Sequence, residues 1–141
     1  MATTVRAMTE TTDLTVAGTF TSWDETPGWD SGAPVPRLAH ALVAFSWTGG
    51  IEGTSTCHSV IHYQEEAAGV VVGLERVTGS VDGEPGEVVL RNEGSFGAEG
   101  VTIAWTVVAG SGTGALAGVT GGGYTAGPHA KEWTWRLGFA G

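Results

Sequence analysis

Stretch after stretch of this chain alternates apolar and polar or small side chains at every residue, and glycine-rich turns interrupt the alternation at short intervals. A two-residue period puts successive side chains on opposite faces of an extended backbone, so such a chain folds by pairing strands and hiding one face of the sheet. From 14 to 22, Leu14, Val16, Gly18 and Phe20 alternate with Thr15, Ala17, Thr19 and Thr21. Strand-like runs follow at about 38–48, 51–64, 69–81, 86–96, 101–108 and 131–139, separated by "TGG", "EEAAG", "DGEPG" and "GAEG". Closely spaced strands joined by turns predict an antiparallel barrel or sandwich rather than βαβ units.

Composition agrees. Of 141 residues 24 are glycine, well above the ordinary share of about 7%. Threonine, valine and tryptophan are plentiful while lysine and methionine are scarce, so strand formers and turn residues dominate. The length suits one domain, 1–141, with a loosely ordered start over 1–12 and a Pro/Gly loop or lid over 24–37, "DETPGWDSGAPVPR".

The charge of −9, from 15 acidic and 6 basic residues, gives no attraction to nucleic acid or to an anionic membrane surface. No apolar run approaches a transmembrane length, and "MATTVRAMTETTDLTV" has no signal-peptide core. The single cysteine, Cys57, excludes an internal disulfide and fits a reducing compartment. A cytoplasmic protein is the expectation, with a homo-oligomer compatible.

The segment "GSGTGALAGVTGGG", 110–123, raises a nucleotide reading: Gly112, Gly114 and Ala117 satisfy G-x-G-x-x-A, and Glu132 lies at the distance of a ribose-binding acid. The fingerprint needs a helix after it, yet "VTGGGYTAG" follows, and too little chain remains for a dinucleotide domain. The glycines are therefore expected to supply tight turns where a strand bends and re-enters the sheet.

Face assignments select the candidate site. Val88, Leu90, Asn92, Gly94 and Phe96 share an inward face, as do Val101, Ile103, Trp105 and Val107, and Trp133, Trp135, Leu137 and Phe139. Glu75 shares a face with Val71, Gly73, Val77, Gly79 and Val81, a lone carboxylate on a small, apolar surface. In a lumen, desolvation would raise its pKa and make it a general acid or base; the structural alternative is a salt bridge to Arg91 or Arg136. Asn92 could orient a ligand oxygen or satisfy a backbone group. Tyr63, on the face of Ile51, Ser55, Cys57, Ser59 and Ile61, could offer a hydroxyl to the lumen or sit at the rim. Trp105, Trp133 and Trp135, with Phe20, Phe96 and Trp23, could wall an apolar ligand site or fill a core. Trp23 and Trp29 flank or lie in the 24–37 loop.

No metal site is expected: His58 and His62 lie four residues apart on a strand, about 13 Å. Cys57 and His58, being adjacent, face opposite ways and form no dyad.

"GIEGTSTCHSVIHY", "VVGLERVTGSVDGEPGEVVLRNEGSF", "AWTVVAGSGTGALAGVTGGG" and "GTFTSWDE" together resemble the bacterial domain of unknown function 3224 family over roughly residues 14–123. The resemblance implies a small antiparallel barrel of about seven or eight strands, similar to allene oxide cyclase, and the glycine stretch is similar to a turn found more loosely in those cyclases and in dirigent proteins. "EWTWRLGF" and the Trp29 loop depart from the family pattern. Two functions follow as expectations: a cofactor-free cyclase or isomerase of specialised metabolism acting on a small hydrophobic molecule, with Glu75, Asn92 and Tyr63 as catalytic groups, or a carrier barrel for such a molecule. An assembly protein with a filled core is the third option.

Overall fold

The computed structural model describes residues 12–28, 30–127 and 132–139, with side chains for 14–28 and 30–123. Ten strands run in chain order: β1 (Thr12–Thr26), β2 (Arg37–Gly49), β3 (Glu52–Glu65), β4 (Ala68–Val81), β5 (Glu84–Gly97), β6 (Gly100–Val107), β7 (Thr113–Gly114), β8 (Val119–Thr120), β9 (Gly122–Gly127) and β10 (Glu132–Phe139). Eight have six or more residues, all pairings are antiparallel, and no helix occurs among the described residues.

The sheet runs β8-β10-β1-β2-β3-β4-β5-β6-β9, with β7 on β5. It curls until its ends meet: β9 lies against β10, and the Val107 N–H donates to the Gly121 carbonyl just beyond β8. The result is a barrel-like curled sheet. The β4–β5 hairpin turns through Asp82 and Gly83, both at positive φ (51° and 84°), the conformation that an Asp-Gly pair adopts at least cost.

Pairing stacks the inward side chains in layers. Trp47 is in register with Gly53, Gly79 and Gly86; above it come Phe45, Ser55, Val77 and Val88, then Val43, Cys57, Glu75 and Leu90. The next layers are small: Ala41, Ser59, Gly73 and Asn92, then Ala39, Ile61, Val71 and Gly94. Arg37, Tyr63, Gly69 and Phe96 form the rim. The two ends therefore differ. Leu14, Val16, Trp47, Ile51, Val77, Val88, Leu90, Trp105, Leu116 and Val119 fill the first as one core cluster, while Ala39, Ala41, Val43, Cys57, Ile61 and Tyr63 form a second, thinner one.

The glycine stretch closes the filled end. Instead of a helix, the chain turns repeatedly: Leu116 N–H donates to Thr113, Ala117 to Gly114 and Val119 to Leu116, while Ala115 N–H ties the loop to Pro85. This drives Leu116 and Val119 into the core. Gly114 has φ +58°, and an added Cβ would meet the Pro85 carbonyl, so only glycine fits there without displacing β5. Short strands β7, β8 and β9 form within the region expected to be turns.

Two boundaries differ from expectation. Strand β1 continues to Thr26, shortening the 24–37 loop, because Asp24, Glu25 and Thr26 still pair with β2; the register shift between Phe20 and Ser22 changes which residues face inward, so Trp23 and Glu25 pair with the inward Val43 and Ala41. The N-terminal stretch lies outside the described residues except Thr12, which opens β1.

Leu116 is fully buried, so Leu116→Ala should lower unfolding free energy by about 2–5 kcal/mol, through lost burial and a residual cavity. Gly114→Ala should also destabilise, through strain. Urea unfolding checks both; a loss below about 1 kcal/mol for Leu116→Ala would show that the loop does not plug this end.

Candidate functional site

A chain of polar groups crosses the interior where the filled end gives way to the small-sided layers. The buried Trp47 Nε1–H donates to Ser55 Oγ at 2.8 Å, and Ser55 Oγ donates to Glu75 Oε2 at 2.5 Å. Asn92 Nδ2 donates to Glu75 Oε1 at 3.1 Å and lies 3.5 Å from Cys57 Sγ, which in turn is 3.2 Å from Ser59 Oγ. Pairing explains the convergence: Cys57 is directly opposite Glu75, and Asn92 faces Gly73, two residues along β4.

Glu75 is 2% exposed. Burial pushes its pKa above the usual carboxylate range, against the smaller opposing effect of the bonds from Ser55 and Asn92, which favour the charged form. The salt bridge expected as one alternative, to Arg91, does not form. Arg91 is exposed, paired with the outward Leu74, and Arg76 reaches Glu87 at 2.9 Å on the outer surface. Arg136 belongs to the undescribed side chains. Asn92 likewise spends its amide on Glu75 and Cys57. Burial also raises the Cys57 thiol pKa, with the Glu75 charge adding to the effect.

The rim carries a separate cluster. Tyr63 Oη donates to Glu25 Oε2 at 2.6 Å, Trp23 Nε1 donates to Glu25 Oε1 at 2.9 Å, and the Arg37 guanidinium stacks over the Tyr63 ring at 4.3 Å. Arg37 Nη1 also donates to the Ala33 carbonyl at 2.7 Å. The Pro/Gly loop is thus held over this end. Burial, followed by the bond to the Glu25 carboxylate, pushes the Tyr63 phenol pKa well up.

The sequence-selected residues divide accordingly. Glu75 and Asn92 come together, whereas Tyr63 lies six residues along β3 from Glu75's partner Cys57, about 20 Å away. Trp105 is opposite Asn92 and 5% exposed within the filled cluster. Phe96 meets Tyr63 edge-on at 5.4 Å; Phe20 meets Trp23 at 6.1 Å and Phe45 at 6.3 Å. Trp133 and Trp135 pair through their backbones with Gly18 and Val16, but their side chains lie outside the description, as does all of Trp29. Ser55, Cys57 and Ser59 were legible only as one face of β3. Trp47, Glu25 and Arg37 were not selected, because their roles depend on the partner strand.

A recess of about 480 Å³ lies at the β5–β6 hairpin, lined by Phe96, Val101 and their neighbours. Its walls come from that hairpin alone, so it belongs to the rim and not to the Glu75 network. Among the described residues, no group of three or more His, Cys, Asp or Glu side chains could hold a metal ion.

The raised Glu75 pKa has a signed consequence for stability. Below pH about 4.5, its ordinary value, folded and unfolded chains both hold the proton and Glu75 carries no penalty. As pH rises, the unfolded chain releases the proton first, so stability falls until pH passes the folded pKa. The stability of Glu75→Gln relative to the native chain should therefore increase from about pH 4.5 towards neutrality. Thermal melts of both proteins between pH 4 and 8 test this; a constant difference would show that Glu75 is not held neutral.

Residues 16–135 match the family model described as protein of unknown function (DUF3224). No curated protein matches the chain. Among solved structures, the chain is similar to a Shewanella oneidensis MR-1 protein described as of unknown function and from the DUF3224 family, with 21% identity, a TM-score of 0.68, and coverage of 92% of this chain and 96% of that one. At that identity the likeness establishes the shared fold, while the family match spans most of the sequence: the chain belongs to the DUF3224 family.

Proposed function

We propose that the small-sided half of the interior takes up a small apolar molecule bearing one polar oxygen, and that the chain acts on it as a cofactor-free cyclase or isomerase. The observation carrying this reading is Glu75: a buried carboxyl without a described cationic partner, beneath the layer of Ala41, Ser59, Gly73 and Asn92. A core serving stability alone gains nothing from an acid there, since desolvation opposes its ionisation. Phe20, Val71, Asn92, Phe96 and Ile103 remain only partly buried on their inward-facing strands, consistent with space above the network. The family resemblance, which implies a barrel similar to allene oxide cyclase, is compatible with such chemistry.

In its protonated form, which burial favours, Glu75 can donate its proton to the ligand oxygen as negative charge develops there, while the Asn92 amide turns from the carboxyl to that oxygen. The proton returns to the same carboxylate from the rearranging substrate, so the isomerisation needs no co-reactant. Apolar walls hold the substrate in its reactive shape and exclude water.

A carrier is the second reading, favoured because both Glu75 oxygens already have partners. Mass spectrometry of molecules released from protein purified from its native host supplies the compound for the test. Its binding should change Trp47 fluorescence, since that indole bonds Ser55. In an isomerase, Glu75→Gln should lower kcat by about 100-fold or more with a much smaller change in affinity. In a carrier there is no turnover, and Asn92→Ala should weaken binding by about 1–3 kcal/mol. Absence of any retained molecule, or native behaviour in both variants, would overturn the proposal.

A further inference from the structure

The outer surface of β2, β3 and β4 carries an apolar field that the curled sheet does not cover. Leu38, Leu42, Val60, Val70, Val72 and Leu74 are 62%, 44%, 42%, 40%, 50% and 52% exposed. Register assembles them into three contiguous rows with the histidines: Leu38–His62–Val70, His40–Val60–Val72 and Leu42–His58–Leu74. In a chain of net charge −9, none of these nine positions is acidic. Exposed apolar fields of this kind mark interaction surfaces.

The flanks indicate the occupant. The Leu42–His58–Leu74 row is bounded by Asp24 of β1, opposite Leu42, and by Arg91 of β5, opposite Leu74. Both are exposed and the two flanks have opposite sign. A two-fold axis lying in the contact plane close to β3 exchanges β1 with β5 and β2 with β4. It therefore sets Asp24 of each copy against Arg91 of the other, twice, and lays Leu42 over Leu74. We infer that a second copy of this chain packs face to face on the β2–β4 surface about this axis.

The shape suits this contact. A curled sheet is convex outside, so two copies touch along the apolar crest and diverge at β1 and β5, where the long Arg91 side chain can span the gap. Ordinary sheet spacings give the three-strand crest about 300 Å² per copy, and at most about 500 Å² with the two flanking strands. That is below the roughly 800 Å² per partner of a standard interface, so the dimer should dissociate on dilution in the micromolar range. The Arg76–Glu87 pair beside the face is already neutralised within one copy, leaving Glu93, opposite the outward Val72, as the remaining acid on the β5 flank. The axis sets Glu93 opposite Thr26, which pairs with His40, one row along from the Asp24–Arg91 contact.

Sedimentation velocity on the native chain from about 1 to 200 µM tests the inference. Dimer should predominate at the upper end. Leu74→Asp and Val60→Asp, both outward substitutions, should weaken association at least tenfold, and circular dichroism should confirm that each still folds. Arg91→Asp should weaken it about tenfold, and adding Asp24→Arg to that variant should restore it, as expected when two charges face one another. A native chain that stays monomeric at 200 µM, a dimer indifferent to both apolar substitutions, or a double charge reversal that restores nothing would each overturn the inference. The Glu75 reading would be untouched, because these positions face away from the interior.

Discussion

A buried indole N–H sets the direction of the hydrogen bonds at the centre of this protein. Trp47 is 1% exposed, and its Nε1 can only donate. Ser55 accepts that bond and thereby keeps its own hydrogen for Glu75. The carboxyl receives a donor on its first oxygen from Ser55 and on its second from Asn92. A group that is costly to bury unpaired is therefore held at a fixed place by neighbours that have few alternative partners. The network is both a structural tie between the two ends and a polar island among apolar side chains.

The ends gain different properties from the same sheet. Towards the glycine loop, Trp47, Trp105, Leu116 and Val119 fill the interior, and this end supplies much of the cohesion. Towards the rim, Ala39, Ala41, Ser59, Gly73 and Gly94 occupy the inward positions, and the Arg37–Tyr63–Glu25 cluster lies over the mouth. Cohesion at one end allows smaller side chains at the other, and the proposed ligand would occupy this second half.

Much of the fold was legible because it depends on local pattern. Alternation at Val88, Leu90 and Asn92 identifies the inward face of β5 whatever lies opposite, and the same rule put Glu75 on one face with Val77 while leaving open whether that face was the interior. Asp82-Gly83 announced its hairpin. What escaped depends on pairing across strands. The bulge between Phe20 and Ser22 brings Trp23 and Glu25 to the inward side, and no feature of β1 alone requires it. The structural alternative for Glu75, a salt bridge to Arg91 or Arg136, rested on opposite charge; Arg91 lies on the outer face, and register offers Ser55, Cys57 and Asn92. The three-row outer field was invisible for the same reason, since its members come from separate strands and none is unusual by itself.

Strand β4 shows how far the interior departs from ordinary patterning. Over residues 69–75 its outward side holds Val70, Val72 and Leu74, while its inward side holds Gly69, Val71, Gly73 and Glu75, so more apolar side chain faces out than in, against what burial of apolar surface would select. A one-residue slip would exchange the faces, taking Leu74 in and Glu75 out. Neighbouring strands oppose that slip: Val88 and Leu90 fix the inward face of β5, Val77 is fully buried beside them, and the pairing with β5 runs without a bulge from Gly69 to Val81. The inverted segment is thus held in register by conventional strands around it. A strand that keeps its acid inside and its apolar residues outside gives up folding energy on both faces, and such local conflicts are expected where a sequence serves a site as well as a fold.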